Sequence, residues 1–297
     1  MTNVNTTQYD YQVLIAGGGP AGIATALTLT ARGISNCVIE ATAMPIKKLG
    51  EAVPPNSKPL LKKLGILQLL KSDAHIAYYG NKSSWGNNKL EQKEFIKWIH
   101  GHGFLLDRQV FEQQLRDHLV NNGGQLLVGR KIKKVTSSEN GVLLTVEHNN
   151  QSSQLSGQYI VDATGRKAAI CGQLGAKKLQ LDTQFALAFS ATLKQPVERQ
   201  ILVEATKCGW WYAAPQNSKE LTLMFFTLKE LIPKKTQLKS YLMEQLKASQ
   251  YVSKITKDAL LNFNTIKIMP TGTSRLKVAF GTNWVAVGDA AYSYDPI

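Results

Sequence analysis

The stretch Tyr11 to Gly22, YQVLIAGGGPAG, constrains this chain more than any other part of it. Tyr11 to Ala16 is a short apolar run with β-branched residues, the pattern of a buried parallel strand. Glycines follow, and Ala21 to Arg32 (AGIATALTLTAR) then reads as a helix of small and aliphatic residues ending at Gly33. Cys37 to Glu40 (CVIE) is a second short strand, so the whole is a βαβ unit. Gly17, Gly19 and Gly22 have GxGxxG spacing in the context that gives the motif meaning, straight after a strand and opening a helix. Gly17 permits the tight turn, Gly19 lets the backbone approach a pyrophosphate, and Gly22 lets helix pack close to sheet. Pro20 and Ala21 begin the helix, whose free N–H groups and dipole favour phosphate. Glu40 ends the second strand, eighteen residues past Gly22, where an acid accepts hydrogen bonds from an adenosine ribose. A dinucleotide ligand is expected.

Downstream the periodicity changes. Asn56 to Leu70 has leucines at helical spacing, with a break at Gly65. Asp107 to Asn121 reads as a helix with Asp107 as N-cap and Val110, Phe111, Leu115 and Leu119 on one face. Phe95 to Ile99 is a candidate strand. Short alternating strands run from Gln125 to Ile160, with Asn140-Gly141 as a hairpin signal. Phe185 to Leu193, Gln200 to Ala205, Trp210 to Ala214 and Leu221 to Leu228 have the pattern of a larger antiparallel sheet. Leu238 to Leu246 and Ser253 to Leu261 read as helices, and Trp284 to Val287 as a last core strand. The expected division is a discontinuous dinucleotide-binding domain of residues 1–75, 103–180 and 272–297. A substrate domain of residues 76–102 and 181–271 is inserted in it.

Composition narrows the function classes. A hydrophobic fraction of 43% against 19% charged residues can build a sizeable core. The formal net charge is +14, but the lysines are dispersed in pairs such as Lys62-Lys63 and Lys234-Lys235. That is a solvated basic surface, and no nucleic-acid partner is expected. Cys37, Cys171 and Cys208 are far apart and form no CxxC pair, which fits reduced thiols in a cytoplasmic protein. Met1 to Asp10 is polar, without an apolar signal region, and no stretch has the length of a transmembrane segment. His100-Gly101-His102 has no accompanying ligand cluster, so no metal is expected.

The far end of the chain carries a second constellation. Trp284 to Ile297 reads WVAVGDAAYSYDPI: an apolar strand, Gly288-Asp289, small residues, then Asp295-Pro296. Together with Tyr159 to Arg166 (YIVDATGR) and Leu105 to Phe111 (LLDRQVF), it resembles the flavoprotein monooxygenase superfamily. That superfamily includes aromatic hydroxylases, flavin-dependent halogenases and geranylgeranyl reductases. The resemblance implies FAD and an α/β, Rossmann-like FAD-binding fold of the glutathione-reductase and p-hydroxybenzoate-hydroxylase type, with an inserted antiparallel-sheet substrate domain. It implies Asp289, after Gly288, on the ribityl chain of FAD, and Pro296 beside the isoalloxazine ring. Asp162 and Gly165 match the segment near the pyrophosphate. Arg108 matches the arginine that reaches the phosphates, a target its guanidinium fork suits. Relatives continue with helices after this proline, so the chain, which stops at Ile297, is expected to be without them.

Two motifs are more selective. Gly50 to Pro55 (GEAVPP) resembles the segment found near the flavin in halogenases and related enzymes, which makes Glu51 the candidate polar group there. Gly209 to Pro215 (GWWYAAP) stands where halogenases carry Trp-x-Trp-x-Ile-Pro, but departs from it at Tyr212 and Ala214. Lys82 lies where a halogenase lysine could stand, and reads as a surface lysine. The combination resembles most the flavoproteins that mature cysteine-tryptophylquinone oxidases by hydroxylating a tryptophan of a precursor protein. The implied activity is FAD-dependent monooxygenation of an electron-rich aromatic substrate, with NAD(P)H or a flavin reductase supplying electrons. The alternatives are an isoprenoid reductase, a halogenase, or a non-catalytic flavin-binding partner of a precursor protein.

Overall fold

The computed structural model describes residues 8–48 and 51–294, with Glu51 as backbone only. The chain divides into two compact units: Met1–Ile46, Gln109–Leu181 and Thr273–Ile297 form one, and Lys47–Arg108 and Asp182–Gly272 form the other.

The first unit is built on five parallel strands in the order Trp284–Ala286, Gln151–Asp162, Tyr11–Ala16, Asn36–Ile39, Gln125–Leu127. Lys131–Ser138 and Gly141–His148 extend the long second strand as an antiparallel meander. Leu14, Ala16, Cys37, Ile39 and Ile160 pack with Val142, Leu144 and Val146 in one apolar cluster. Ile15, between Leu14 and Ala16, is also fully buried. Apolar residues on both faces of a strand are what a parallel sheet covered on both sides requires. The chain runs from Tyr11–Ala16 through the helix Pro20–Thr30 to the neighbour on one side, and comes back much later to the neighbour on the other. The first strand is therefore a topological switch point, and ligands bind at the carboxyl ends of strands at such points.

The second unit carries a seven-stranded sheet in the order Leu260–Pro270, Gln184–Thr192, Glu220–Leu228, Gly209–Pro215, Gln200–Thr206, Gly80–Ser84, Glu91–Glu94. All neighbours are antiparallel except Gln200–Thr206 with Gly80–Ser84. One face holds Phe189, Trp211, Leu223 and Phe225, covered by Leu238, Leu242 and Leu246 of the helix Leu238–Ala248. Their four-residue spacing puts one helical stripe on the sheet. The other face holds Ala186, Ala188, Trp210, Met224 and Phe226. Buried Glu204 fixes the start of the helix Val252–Thr256, accepting from the amides of Gln250, Tyr251 (2.9 Å) and Val252 (2.8 Å).

Several local expectations change. Phe95 to Ile99 is no strand: Phe95–Lys97 is a 3₁₀ turn pinned by buried Phe95, with Ile96 and Ile99 exposed. The helix expected over Ser253 to Leu261 stops at Thr256, and Leu260–Pro270 is an edge strand with Leu261, Phe263 and Ile266 turned to the core. Asparagines and a lysine on its exposed positions hid that strand. Residues 47–75 and 103–108, assigned from sequence to the dinucleotide domain, fall in the second compact unit. The reason is a small antiparallel sheet in which Gly103–Leu106 lies between Glu51–Val53 and Ile76–Tyr78.

Candidate functional site

Three chain segments meet at the carboxyl ends of the central parallel strands of the first unit. Gly17 follows Ala16 with φ +108°, and a Cβ there would stand 2.4 Å from the Ala163 carbonyl oxygen. A Cβ on Gly22 would lie 1.9 Å from the Gly17 oxygen. Both glycines are demanded by the protein's own backbone. Gly288, with φ +58°, brings the last segment in: its added Cβ would meet the Ala21 methyl at 2.8 Å.

Gly19 behaves differently. It caps the helix Pro20–Thr30 in an extended conformation, offers no side-chain cap, and a Cβ there would meet none of the described residues within 4 Å. Among the described residues no packing requires glycine at this position. An uncapped helix N-terminus beside open space is the cradle a pyrophosphate needs. The residues present therefore fit the phosphates of a dinucleotide.

Glu40 is the hub on the neighbouring strand end. Its Oε2 accepts from the Gly18 amide at 2.6 Å, and its Oε1 from the Thr42 amide (2.8 Å) and hydroxyl (2.7 Å). The Arg116 guanidinium stands 3.8 Å from Oε1. Burial alone would raise this carboxyl, but the Thr42 and Gly18 bonds and Arg116 outweigh it and hold it below the ordinary glutamate range. Each carboxylate oxygen can accept two bonds, so ribose hydroxyls can be added to this set. A side chain at position 18 would press on the Glu40 Cβ at 3.0 Å, so the middle glycine of the three also has a task.

Arg116 was not singled out from the sequence. It is 4% exposed and donates to the Thr42 and Ala43 carbonyls and the Thr42 hydroxyl. Gln109, on the same helix Arg108–Asn121, donates to the Pro45 carbonyl. The helix thus holds the 42–45 segment and Glu40 in place. Nothing in the sequence sets Arg116 apart from the other polar residues of this helix; its burial comes from the fold.

Asp162 is fully committed inside the protein. Its Oδ1 accepts from the Thr164 amide and hydroxyl (2.9 and 2.6 Å), and its Oδ2 from the amides of Ile170 and Cys171 (3.0 and 2.8 Å). It is 1% exposed. It shapes the Ala163–Gly165 turn, in which Gly165 has φ +69°, and its own carbonyl accepts from the Val287 amide, just after the strand Trp284–Ala286. Asp289 is over half exposed and lies 3.6 Å from the Arg166 guanidinium, which also bonds the Tyr294 carbonyl. The Gly165 and Gly288 turns are tied to each other in this way.

The remaining expected residues lie elsewhere. Buried Arg108, at the start of its helix, belongs to the second unit and lines a cavity with Asp107, Tyr212, Pro215 and Glu220. Glu51 pairs through its backbone with Leu106, and its side chain lies outside the described residues, as do Gly50 and Pro296. In Gly209–Pro215, buried Trp210 stacks on Phe226 (centroids 3.8 Å, planes 5° apart) and meets the edge of Trp85, while Trp211 packs on the opposite face and donates to the Gln245 carbonyl. The Trp210 indole N–H has no hydrogen-bond partner among the described residues. Lys82 is held by Glu198 at 2.5 Å. Cys37 and Cys171 are buried, and burial pushes the Cys37 thiol up to about 11. Among the described residues no group of three or more His, Cys, Asp or Glu could hold a metal, and no helix is long and apolar enough to cross a membrane.

A family model described as FAD binding domain matches residues 10–297. The chain belongs to this FAD-binding-domain family. Its cofactor is FAD, and it is an enzyme of the flavin-dependent halogenase and monooxygenase group. Among curated relatives it is 25% identical over 295 residues to LodB of Marinomonas mediterranea, covering 97% of this chain and 79% of LodB. The fold superposes on the flavin-dependent halogenase CmlS with a TM-score of 0.88 at 22% identity, over 97% of this chain and 54% of CmlS. It superposes on QhpG, a peptidyl tryptophan dihydroxylase essential for tryptophylquinone cofactor biogenesis, with a TM-score of 0.73 at 22% identity, over 96% of this chain and 62% of QhpG. The chain thus spans about half the length of CmlS and about four fifths of LodB.

Proposed function

We propose that this protein hydroxylates an electron-rich aromatic ring, with a tryptophan carried on a polypeptide as the substrate class. FAD, when bound, supplies the activation of oxygen. In this reading Gly17, Gly19, Pro20, Ala21 and Gly22 bind the pyrophosphate, Glu40 the adenosine ribose and Asp289 the ribityl chain. Arg108 compensates phosphate charge, while Asp162, Gly165 and Gly288 shape the loops that receive the cofactor. Glu51 and Pro296 border the flavin ring. The electrons come from NAD(P)H or a flavin reductase.

The observation that carries hydroxylation over halogenation is the strand Gly209–Pro215. Its aromatic platform is kept, with Trp210 flat on Phe226, but Tyr212 and Ala214 replace the second tryptophan and the isoleucine of the halogenase signature. Lys82 is neutralised by Glu198. An unsatisfied buried N–H on Trp210 favours a guest with an acceptor, and a peptide carbonyl is one. The likeness to QhpG, a peptidyl tryptophan dihydroxylase, supports the same reading.

Halogenation is the second reading, favoured by the superposition on CmlS. One experiment separates the two. FAD-loaded protein is given a reductase, a tryptophan-containing peptide, isotopically heavy oxygen gas and bromide. Heavy oxygen in the indole supports hydroxylation. Bromine in the product, or no change in the peptide while a free aromatic is modified, sinks it.

A further inference from the structure

The seven-stranded sheet carries a cavity on the face opposite Trp210 and Phe226. Its floor is Leu202, Ala213 and Leu221, one residue from each of three adjacent strands, all in the apolar cluster of Trp211 and Phe225. Its walls are the loop carrying Lys194 and Val197 and the turn carrying Lys257 and Ala259. The volume is about 380 Å³, within the range of small-molecule sites. Apolar depth with a polar mouth is the usual form of such a site.

The mouth has a sign. Lys82, Lys194, Lys254 and Lys257 line it, against Glu198 and Asp258. Glu198 is engaged by Lys82 at 2.5 Å, so that pair cancels. Lys254 is drawn over the Tyr251 ring at 5.3 Å. Lys194 and Lys257 are exposed on the two walls, and Asp258 alone opposes the three remaining lysines. The mouth is net positive, and the overall charge of +14 adds to the attraction for an anion.

We propose that this cavity is a second ligand site, for a small amphipathic carboxylate. The apolar body lies on Leu202, Ala213 and Leu221, and the carboxylate reaches Lys194 and Lys257 at the mouth. The site explains Lys82 without a role in catalysis: its ion pair with Glu198 shapes the rim. A lysine rim over an apolar floor also discriminates by charge, because a cationic amphiphile of equal length meets repulsion there.

Decanoate is the probe, titrated calorimetrically into the full FAD-loaded chain at low salt, with decyltrimethylammonium as the control of opposite charge. Saturable one-to-one binding of decanoate is expected, with none of the cation and no release of FAD. The double variant Lys194→Glu/Lys257→Glu changes exposed side chains and should weaken decanoate by about tenfold or more. Lys194→Arg/Lys257→Arg should retain it. Ala259→Trp fills the cavity and should abolish binding; if that variant fails to fold, the charge variants decide. Absence of saturable binding, equal binding of the cation, displacement of FAD, or indifference to Lys194→Glu/Lys257→Glu would each overturn the proposal.

Discussion

At the glycine turn the chain makes room by deleting side chains; at Gly209–Pro215 it fills room with its largest ones. Gly17 and Gly22 are forced by backbone contacts of 2.4 and 1.9 Å, whereas Gly19 faces none of the described residues within 4 Å. Trp210 and Trp211, by contrast, are buried on opposite faces of one sheet, each against a phenylalanine. A site read by backbone is restricted to few residue types, because only glycine satisfies the geometry. A face built from side chains tolerates many solutions of similar volume. The first kind of site therefore stays the same for one cofactor across many proteins, and the second kind can change with the substrate.

That contrast can be broken by substitution. Gly22→Ala drives a methyl into the Gly17 carbonyl, and should cost about 3 kcal/mol or more of stability, measured by denaturant unfolding without FAD. An unchanged midpoint would mean that the turn is looser than its contacts imply. In the other unit, Glu204→Gln turns an acceptor of three amides into a group with donors facing donors. The expected loss is about 2 kcal/mol, from the same measurement.

Arg116→Met should sharpen the comparison by separating the two ends of the cofactor. Loss of the clamp on Glu40 and Thr42 should weaken FAD about tenfold and leave FMN, which has no adenosine, unaffected. Equal weakening of both would reduce Arg116 to a packing role. Gly19→Ala should leave unfolding without FAD within about 0.5 kcal/mol and still reduce FAD affinity severalfold, since its methyl occupies only the guest's space.

The smallest effect is a pH dependence. Glu40 is held below its ordinary value in the folded protein, so its contribution is complete above the unfolded glutamate value, about 4.3. It is lost as pH falls through the lower folded value. Glu40→Gln should flatten this part of the acid limb of a stability profile, and an unaltered limb would place the depression elsewhere.

Much of the first unit was legible because its rules are local: Tyr11–Ala16, the glycines, the helix and Glu40 all lie within one βαβ stretch. The internal hydrogen bonds of Asp162 could not be read from its motif, since the amides of Ile170 and Cys171 that it binds leave no mark in the sequence. Arg116 was missed because an arginine on a helix usually snorkels to solvent, and only the tertiary fold buries this one. The edge strand Leu260–Pro270 was missed because an edge carries polar residues on its outer positions, which dilutes the apolar alternation. The fold division shifted for a similar reason: three short strands joined through Gly103–Leu106 are too brief to announce their pairing.

The contact between Gly288 and Ala21 has a consequence for how the molecule forms. The helix that opens the cofactor cradle and the turn that touches it, at Ala21 and Gly288, are more than 250 residues apart along the chain. Contacts of such sequence separation form late, because the chain between them must already be arranged. An emerging chain therefore carries the complete glycine signature long before it has a cradle. Its capacity to take up flavin should appear abruptly, at the moment the last parallel strand docks beside Gln151–Asp162.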